Sequence, residues 1–63
     1  MNYRELLKIL ERDGWRMERV VGSHQQFRHP SKPGTVTVPG GGKGSKDVPI
    51  GTLNSVLKQA GLK

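Results

Sequence analysis

The sequence predicts an α+β fold in the order α-β-β-β-α, with a three-stranded antiparallel sheet carrying both helices on one face. Two kinds of observation predict it. Apolar residues recur at helical spacing near each end of the chain, and the stretch between them carries β-type residues broken by short turn signals. Two apolar helical stripes and one sheet face can then close over a common core.

The first helix starts at Asn2, a residue that caps helices well, with Glu5 three positions on in the spacing of a capping box. Tyr3, Leu6, Leu7 and Leu10 follow as one stripe, while Arg4, Lys8, Glu11 and Arg12 take the other side. Asp13-Gly14 ends it, because glycine readily adopts the left-handed conformation after a helix.

Strands are expected between Trp15 and Val38. Val20-Val21-Gly22-Ser23-His24 reads as a tight hairpin with Gly-Ser as its two-residue turn. Phe27 marks the second strand, which ends at His29-Pro30. Ser31-Lys32-Pro33-Gly34 is a second turn, and Thr35-Val36-Thr37-Val38 alternates as a third strand. A strictly regular hairpin puts Trp15, Met17, Val21 and His24 on one face and Val20 and Phe27 on the other, and both sets cannot line one core. A bulge near Glu18-Arg19, or a longer turn, restores agreement. With Phe27 turned inward, His24, Gln26 and Arg28 turn outward, since strand side chains alternate.

Pro39 to Lys46 is Gly-rich and predicts a loop. Pro49 and Thr52 mark the start of the last helix, whose Leu53, Val56, Leu57 and Ala60 again form a helical stripe before Gly61. The stripes of both helices are expected to pack on Phe27, Val36 and Val38, leaving the opposite sheet face open.

The 63 residues are expected to form one domain, 1–63, with a thin core. A chain this short buries only about 60% of the surface that it exposes unfolded. It has no cysteine, which removes disulfides and thiolate zinc sites. No apolar run exceeds two residues, so neither a membrane span nor a signal-peptide core is expected, and a cytoplasmic location is the default. Eleven Lys and Arg against five Asp and Glu leave a net charge of +6. In so small a domain this excess is the footprint of a nucleic-acid binder, against the plainer reading of charge that serves solubility alone.

Reactive groups are few. The only histidines are His24 and His29, and a zinc site built on them lacks further ligands close in sequence, so no metal and no other cofactor is expected. Ser23 adjoins His24, but sequence neighbours project in different directions, and no acidic residue stands near to orient the ring. Gly40 to Lys46 is not a P-loop, because Gly44 follows Lys43 where Ser or Thr is needed and Thr37 stands where the first glycine should. Gly41-Gly42-Lys43-Gly44 matches the GXXG of KH domains, yet that loop joins two helices and this one follows a strand. Lys43 and Lys46 can still meet phosphates beside a helix N-terminus, against the plain reading of a solvated linker.

His24 is the sharper candidate. With an unperturbed pKa of about 6.5, a histidine can accept or donate a proton near neutrality. RNA carries its own nucleophile, the 2′-hydroxyl, so one positioned base with nearby cations can suffice, without a metal. A lone histidine beside a turn can equally be ordinary surface. His29, in phase with Phe27, reads as a partly buried packing or hydrogen-bonding residue.

Gly22-Ser23-His24, Phe27 with His29-Pro30, Thr37-Val38-Pro39, Asp47-Val48-Pro49-Ile50-Gly51-Thr52-Leu53 and Leu57-Lys58-Gln59-Ala60-Gly61-Leu62 stand in that order along the chain. Together with Leu6-Leu7 and Gly14-Trp15, they resemble the HicA toxins over essentially the whole length. The resemblance implies an mRNA interferase, the toxin of a type II toxin–antitoxin pair, with a double-stranded-RNA-binding-like fold. It places the catalytic histidine of the Gly-Ser-His element on His24. It also implies a HicB antitoxin that covers the active surface and often carries its own DNA-binding segment. In one place the sequence departs: many members have a further histidine after the Val-Pro of the third strand, where Gly40-Gly41-Gly42 follows Pro39 here.

The resulting expectation is a metal-independent endoribonuclease with His24 catalytic and Arg19, Gln26, Arg28, Lys43 and Lys46 contacting RNA. A non-catalytic RNA-binding module is the alternative, as is an inactive toxin remnant that only holds its antitoxin.

Overall fold

In the computed structural model, which describes residues 1–40 and 43–63, the elements run α1 (Tyr3–Asp13), β1 (Arg16–Val21), β2 (His24–Arg28), β3 (Val36–Pro39) and α2 (Ile50–Gln59). The expected order and fold class are therefore what the chain adopts. The third strand sits one residue later than its alternation suggested, and Gly41 and Gly42 of the expected loop lie outside the described residues.

Local signals set the ends of α1. The Asn2 side chain accepts the Glu5 N–H at 2.8 Å, and the Glu5 carboxylate accepts the Asn2 N–H at 2.9 Å. Such a capping box satisfies two donors that the helix itself leaves unpaired. At the other end Gly14 takes φ 105°, ψ 2°. Its N–H donates to the Glu11 carbonyl and the Trp15 N–H to the Leu10 carbonyl, both at 3.0 Å. This bonding pattern turns the chain sharply and drops Trp15 against Leu10, and both are fully buried. The end of α2 repeats it, with Gly61 bonded to the Lys58 carbonyl and Leu62 to that of Leu57.

The three strands form one antiparallel sheet in the order β1-β2-β3. Gly22 and Ser23 make the two-residue turn of the first hairpin, which Val21 and His24 close. Gly22 has φ 61° while Ser23 is not left-handed, the pattern of a turn that places glycine first. The register shifts between Met17 and Arg19, leaving Glu18 as the extra residue. This is the irregularity that the conflicting apolar phases demanded. It turns Met17 and Val20 to the side of Phe27, and Arg19 and Val21 to the side of His24.

The core lies between the helices and one sheet face. Tyr3, Leu6 and Leu10 of α1 and Val56 of α2 meet Phe27, Val36 and Val38, with Trp15, Val48 and Ala60 closing the margins. Leu7, Leu53 and Leu57 are partly buried around it. Cover is thinnest over β1. Met17 and Val20 remain 54% exposed although they face the helix side, and Leu7, Trp15, Met17 and Phe27 line a groove there of about 160 Å³. No helix among the described residues is long and apolar enough to cross a membrane.

The second half of the Gly-rich segment serves α1 and is no loose linker. The Lys46 and Gly44 carbonyls accept the Tyr3 and Arg4 N–H groups at 3.0 Å, and the Met1 carbonyl accepts the Val48 N–H at 2.9 Å. Asn2 and Asp47 complete an isolated bridge. The N–H groups of Tyr3, Arg4, Glu5 and Leu6 are all consumed by protein acceptors. At α2, the helix that follows the loop, Pro49 provides no side-chain cap.

Candidate functional site

His24 is placed by the hairpin. It is the first residue of the central strand, bracketed by Val21 on one side and Pro39 on the other. Phe27, three residues on, is buried beneath the helices, so alternation turns His24, Gln26 and Arg28 to the uncovered face. The His24 ring is exposed and makes no hydrogen bond among the described residues. It is free to engage a ligand.

Rows of cross-strand neighbours define the rest of this face. Val21, His24 and Pro39 form the row at the turn end. Arg19, Gln26 and Thr37 form the next, with Arg19 exposed and Gln26 and Thr37 half-buried. Arg16 and Arg28 form the last. Arg28 has one acidic neighbour, with its Nε 3.6 Å from a Glu18 carboxylate oxygen and both side chains more than half exposed. An ion pair in such a setting is worth at most about 1 kcal/mol.

Lys43 and Lys46 approach from the loop. The Gly40 N–H donates to the Ser23 carbonyl at 2.8 Å, which ties the loop's beginning to the residue before His24. The Lys43 N–H in turn donates to the Gly40 carbonyl, and a Cβ on Gly40 would lie 3.7 Å from Lys43 Cδ. The Lys43 stem thus lies beside Gly40 and the Tyr3 ring, on the helix side of the sheet at its His24 end. Lys46 sits further round, under the start of α1. The structure brings His24, Arg19, Gln26 and Arg28 together on one face, while the Lys43 stem lies beside Tyr3 on the helix side and Lys46 stands apart beside α1.

Two cations escaped the reading of the sequence. Arg16 shares the open face because the bulge puts it in phase with Arg28, a signal available once Glu18 is taken as the extra residue. Arg4, assigned to the solvent side of its helix, bends back so that a Cβ on Gly44 would lie 3.4 Å from its guanidinium. No local pattern carries that contact.

His29 has the structural role expected of it. Its Nε2–H donates to the Asp13 carbonyl at 2.6 Å, and its Nδ1 accepts the Ser31 and Lys32 N–H groups at 3.0 and 3.2 Å. The ring meets Trp15 edge-on, with centroids 5.2 Å apart. With both nitrogens engaged, it has nothing to offer a substrate. Beside it, the Asp13 carboxylate accepts from Lys32 Nζ at 2.5 Å and from Trp15 Nε1 at 3.0 Å, and Lys32 also reaches the Ala60 carbonyl. This network joins the ends of α1, β2 and α2.

The Lys32 hydrogen bond, with the Lys32 charge and the Trp15 N–H adding to it, holds the Asp13 carboxyl below the usual range. A carboxylate depressed by folding stabilises the protein fully above its unfolded pKa of about 3.9 and loses that contribution as pH falls through the lower folded value. Melting temperatures measured from pH 5 downward should therefore show an acid-driven drop that Asp13→Asn flattens. Equal slopes in the two proteins would remove Asp13 as its source.

Among the described residues, no three His, Asp or Glu side chains come together as metal ligands would. What the open face offers is one imidazole without a partner among the described residues, together with guanidinium groups. Those groups suit a phosphate-bearing polymer. In comparison with known proteins, the model of a family described as "HicA toxin of bacterial toxin-antitoxin" matches residues 3–62. No curated protein matches the chain.

Proposed function

The chain belongs to the HicA toxin family of bacterial toxin–antitoxin systems, and from that premise we propose that it is an endoribonuclease cleaving mRNA on its open sheet face, with His24 as the catalytic residue. The observation that carries this reading is the placement of His24: an exposed imidazole, unbonded among the described residues, on an uncovered β-surface with Arg19, Gln26 and Arg28. His24 takes the proton from a ribose 2′-hydroxyl, and that oxygen attacks the adjacent phosphorus. The bond from phosphorus to the 5′ oxygen breaks, leaving a 2′,3′-cyclic phosphate and a 5′-hydroxyl. Water protonates the departing oxygen, and the imidazolium returns its proton to the solvent. Arg19 and Arg28 hold flanking phosphates and Gln26 hydrogen-bonds the strand. Lys43, a few residues beyond the position where many relatives carry their second histidine, supplies a cation in its stead.

Membership of the family implies an antitoxin partner. We expect it to be of the HicB type and to cover this same face, and the pair to work in the cytoplasm on mRNA.

The test is a long single-stranded RNA incubated with the purified chain in EDTA, alongside the same sequence with 2′-O-methyl groups. Cleavage of the first to cyclic-phosphate ends, with the second bound but intact, is the expected result. Intact RNA of both kinds with tight binding would turn the protein into a binding module. Loss of cleavage on chelation would replace the lone-histidine mechanism with a metal-assisted one. The glycines after Pro39 favour one further reading, a toxin remnant that holds its antitoxin without cutting. Co-purification with the antitoxin and no growth arrest would support it.

A further inference from the structure

We propose that Arg16 and Arg28 form a phosphate clamp for single-stranded RNA at the end of the open face remote from His24, occupied by Glu18 when RNA is absent. The clamp rests on the RNA-directed reading above and adds to it an anchoring point, a direction for the strand and a built-in competitor.

Arg16 and Arg28 stand directly opposite each other across the first hairpin, and both are exposed. Like charges in that relation disfavour the sheet that carries them. The carboxylate that meets Arg28 is Glu18, the extra residue of the bulge, which lies 3.6 Å from its Nε, while Arg16 has no ion pair among the described residues. One carboxylate against two guanidinium groups leaves the pair short of negative charge, and an exposed contact of this length exchanges readily for another anion. A phosphodiester presents two non-bridging oxygens, and guanidinium forks suit such a group better than any other side chain. Charges on an edge strand also discourage edge-to-edge pairing. That role is met by Arg16 alone and gains nothing from a second guanidinium directly across the ladder.

Position separates the clamp from the chemistry. Arg28 lies four residues along β2 from His24, about 13 Å at the usual rise of a strand. A phosphate seated between the arginines is therefore not the scissile one. Arg19 and Gln26 occupy the row between. A single file of polar and cationic groups fits one backbone running along β2, from Arg28 toward His24.

The probe is an uncleavable 2′-O-methyl single-stranded RNA, with binding to the full chain followed by fluorescence anisotropy over a range of salt. Arg16→Ala should weaken binding roughly tenfold and lower the salt slope by about one. Its melting temperature without RNA should hold or rise, since repulsion is relieved, whereas a merely structural arginine would lower it. Arg12→Ala, which removes the same charge from an exposed site on α1, should change affinity little. Glu18→Gln should tighten binding, because the competitor is gone. Equal behaviour of Arg16→Ala and Arg12→Ala, or no tightening in Glu18→Gln, overturns the clamp while leaving the nuclease reading intact. A wild-type chain that does not bind the probe sinks both. Arg16-dependent binding without cleavage of ordinary RNA keeps the clamp and removes the nuclease.

Discussion

In a His24→Ala variant, RNA cleavage falls by about 10²–10⁴-fold, the usual contribution of a positioned acid–base group, while the fold stays as stable as before. Both halves of this expectation come from the placement of the ring. It is exposed and donates to or accepts from no protein group among the described residues, so its removal breaks no internal hydrogen bond. Substitutions at such sites shift stability by about 0.5 kcal/mol or less. Growth arrest on induction should disappear together with cleavage, and the melting temperature should not move. His29→Ala is the informative companion. It also lowers activity, but through loss of fold, because it deletes the acceptor for the Ser31 and Lys32 N–H groups and the donor to Asp13. The two histidines are thus told apart by melting temperature: unchanged for His24→Ala and depressed for His29→Ala. Full cleavage by a folded His24→Ala protein would end the assignment.

Gly14→Ala should be among the most damaging single-methyl additions the chain can receive. Glycine adopts φ 105° freely there, whereas a side chain in the left-handed region costs about 1–2 kcal/mol. The added Cβ would also sit 2.6 Å from His29 Nε2. His29 cannot move aside cheaply. Its Nε2–H is bonded to Asp13, its Nδ1 holds two backbone N–H groups, and its ring abuts Trp15. Displacing it leaves partly buried polar groups unpaired, at about 1–3 kcal/mol. The combined loss, about 2–5 kcal/mol, is comparable with the whole stability of a chain this size, about 3–9 kcal/mol at 0.05–0.15 kcal/mol per residue. A melting temperature lowered by at least ~8 °C is expected, at ~4–8 °C per kcal/mol. Asn tolerates the backbone angle but not the clash, so Gly14→Asn should fail as well. In a His29→Ala background, Gly14→Ala should cost only its backbone part, and a double-mutant cycle would read the difference as coupling. A cycle that closes with no coupling would show that the clash is relieved elsewhere.

Much of the architecture was legible because it is written within a few residues. Asn2 with Glu5, Gly14 after the first stripe, and Gly22-Ser23 between two valines and His24 each act through bonds that close inside one turn of chain. The bulge was legible in a different way. Trp15 to Phe27 carries two apolar phases that no regular hairpin can reconcile, so an irregularity had to exist, and Glu18-Arg19 was the place where it repaired both. From that repair follows the outward turn of His24, Gln26 and Arg28. The same parity also placed Arg16 beside Arg28, a consequence that the motif pattern gave no reason to draw.

Local periodicity and turn chemistry by themselves determined the helix limits, the three strands, the need for a bulge and the face on which His24 lies, because helix and hairpin hydrogen bonds couple residues only a few positions apart. Tertiary packing decided the rest. It brought Asp13 to Lys32 and His29, laid residues 43–48 against the start of α1, and folded Arg4 over Gly44. Those partners are separated by 16 to 47 positions. Such contacts exist only once the sheet register and the two helix stripes have fixed where each end of the chain must come to rest.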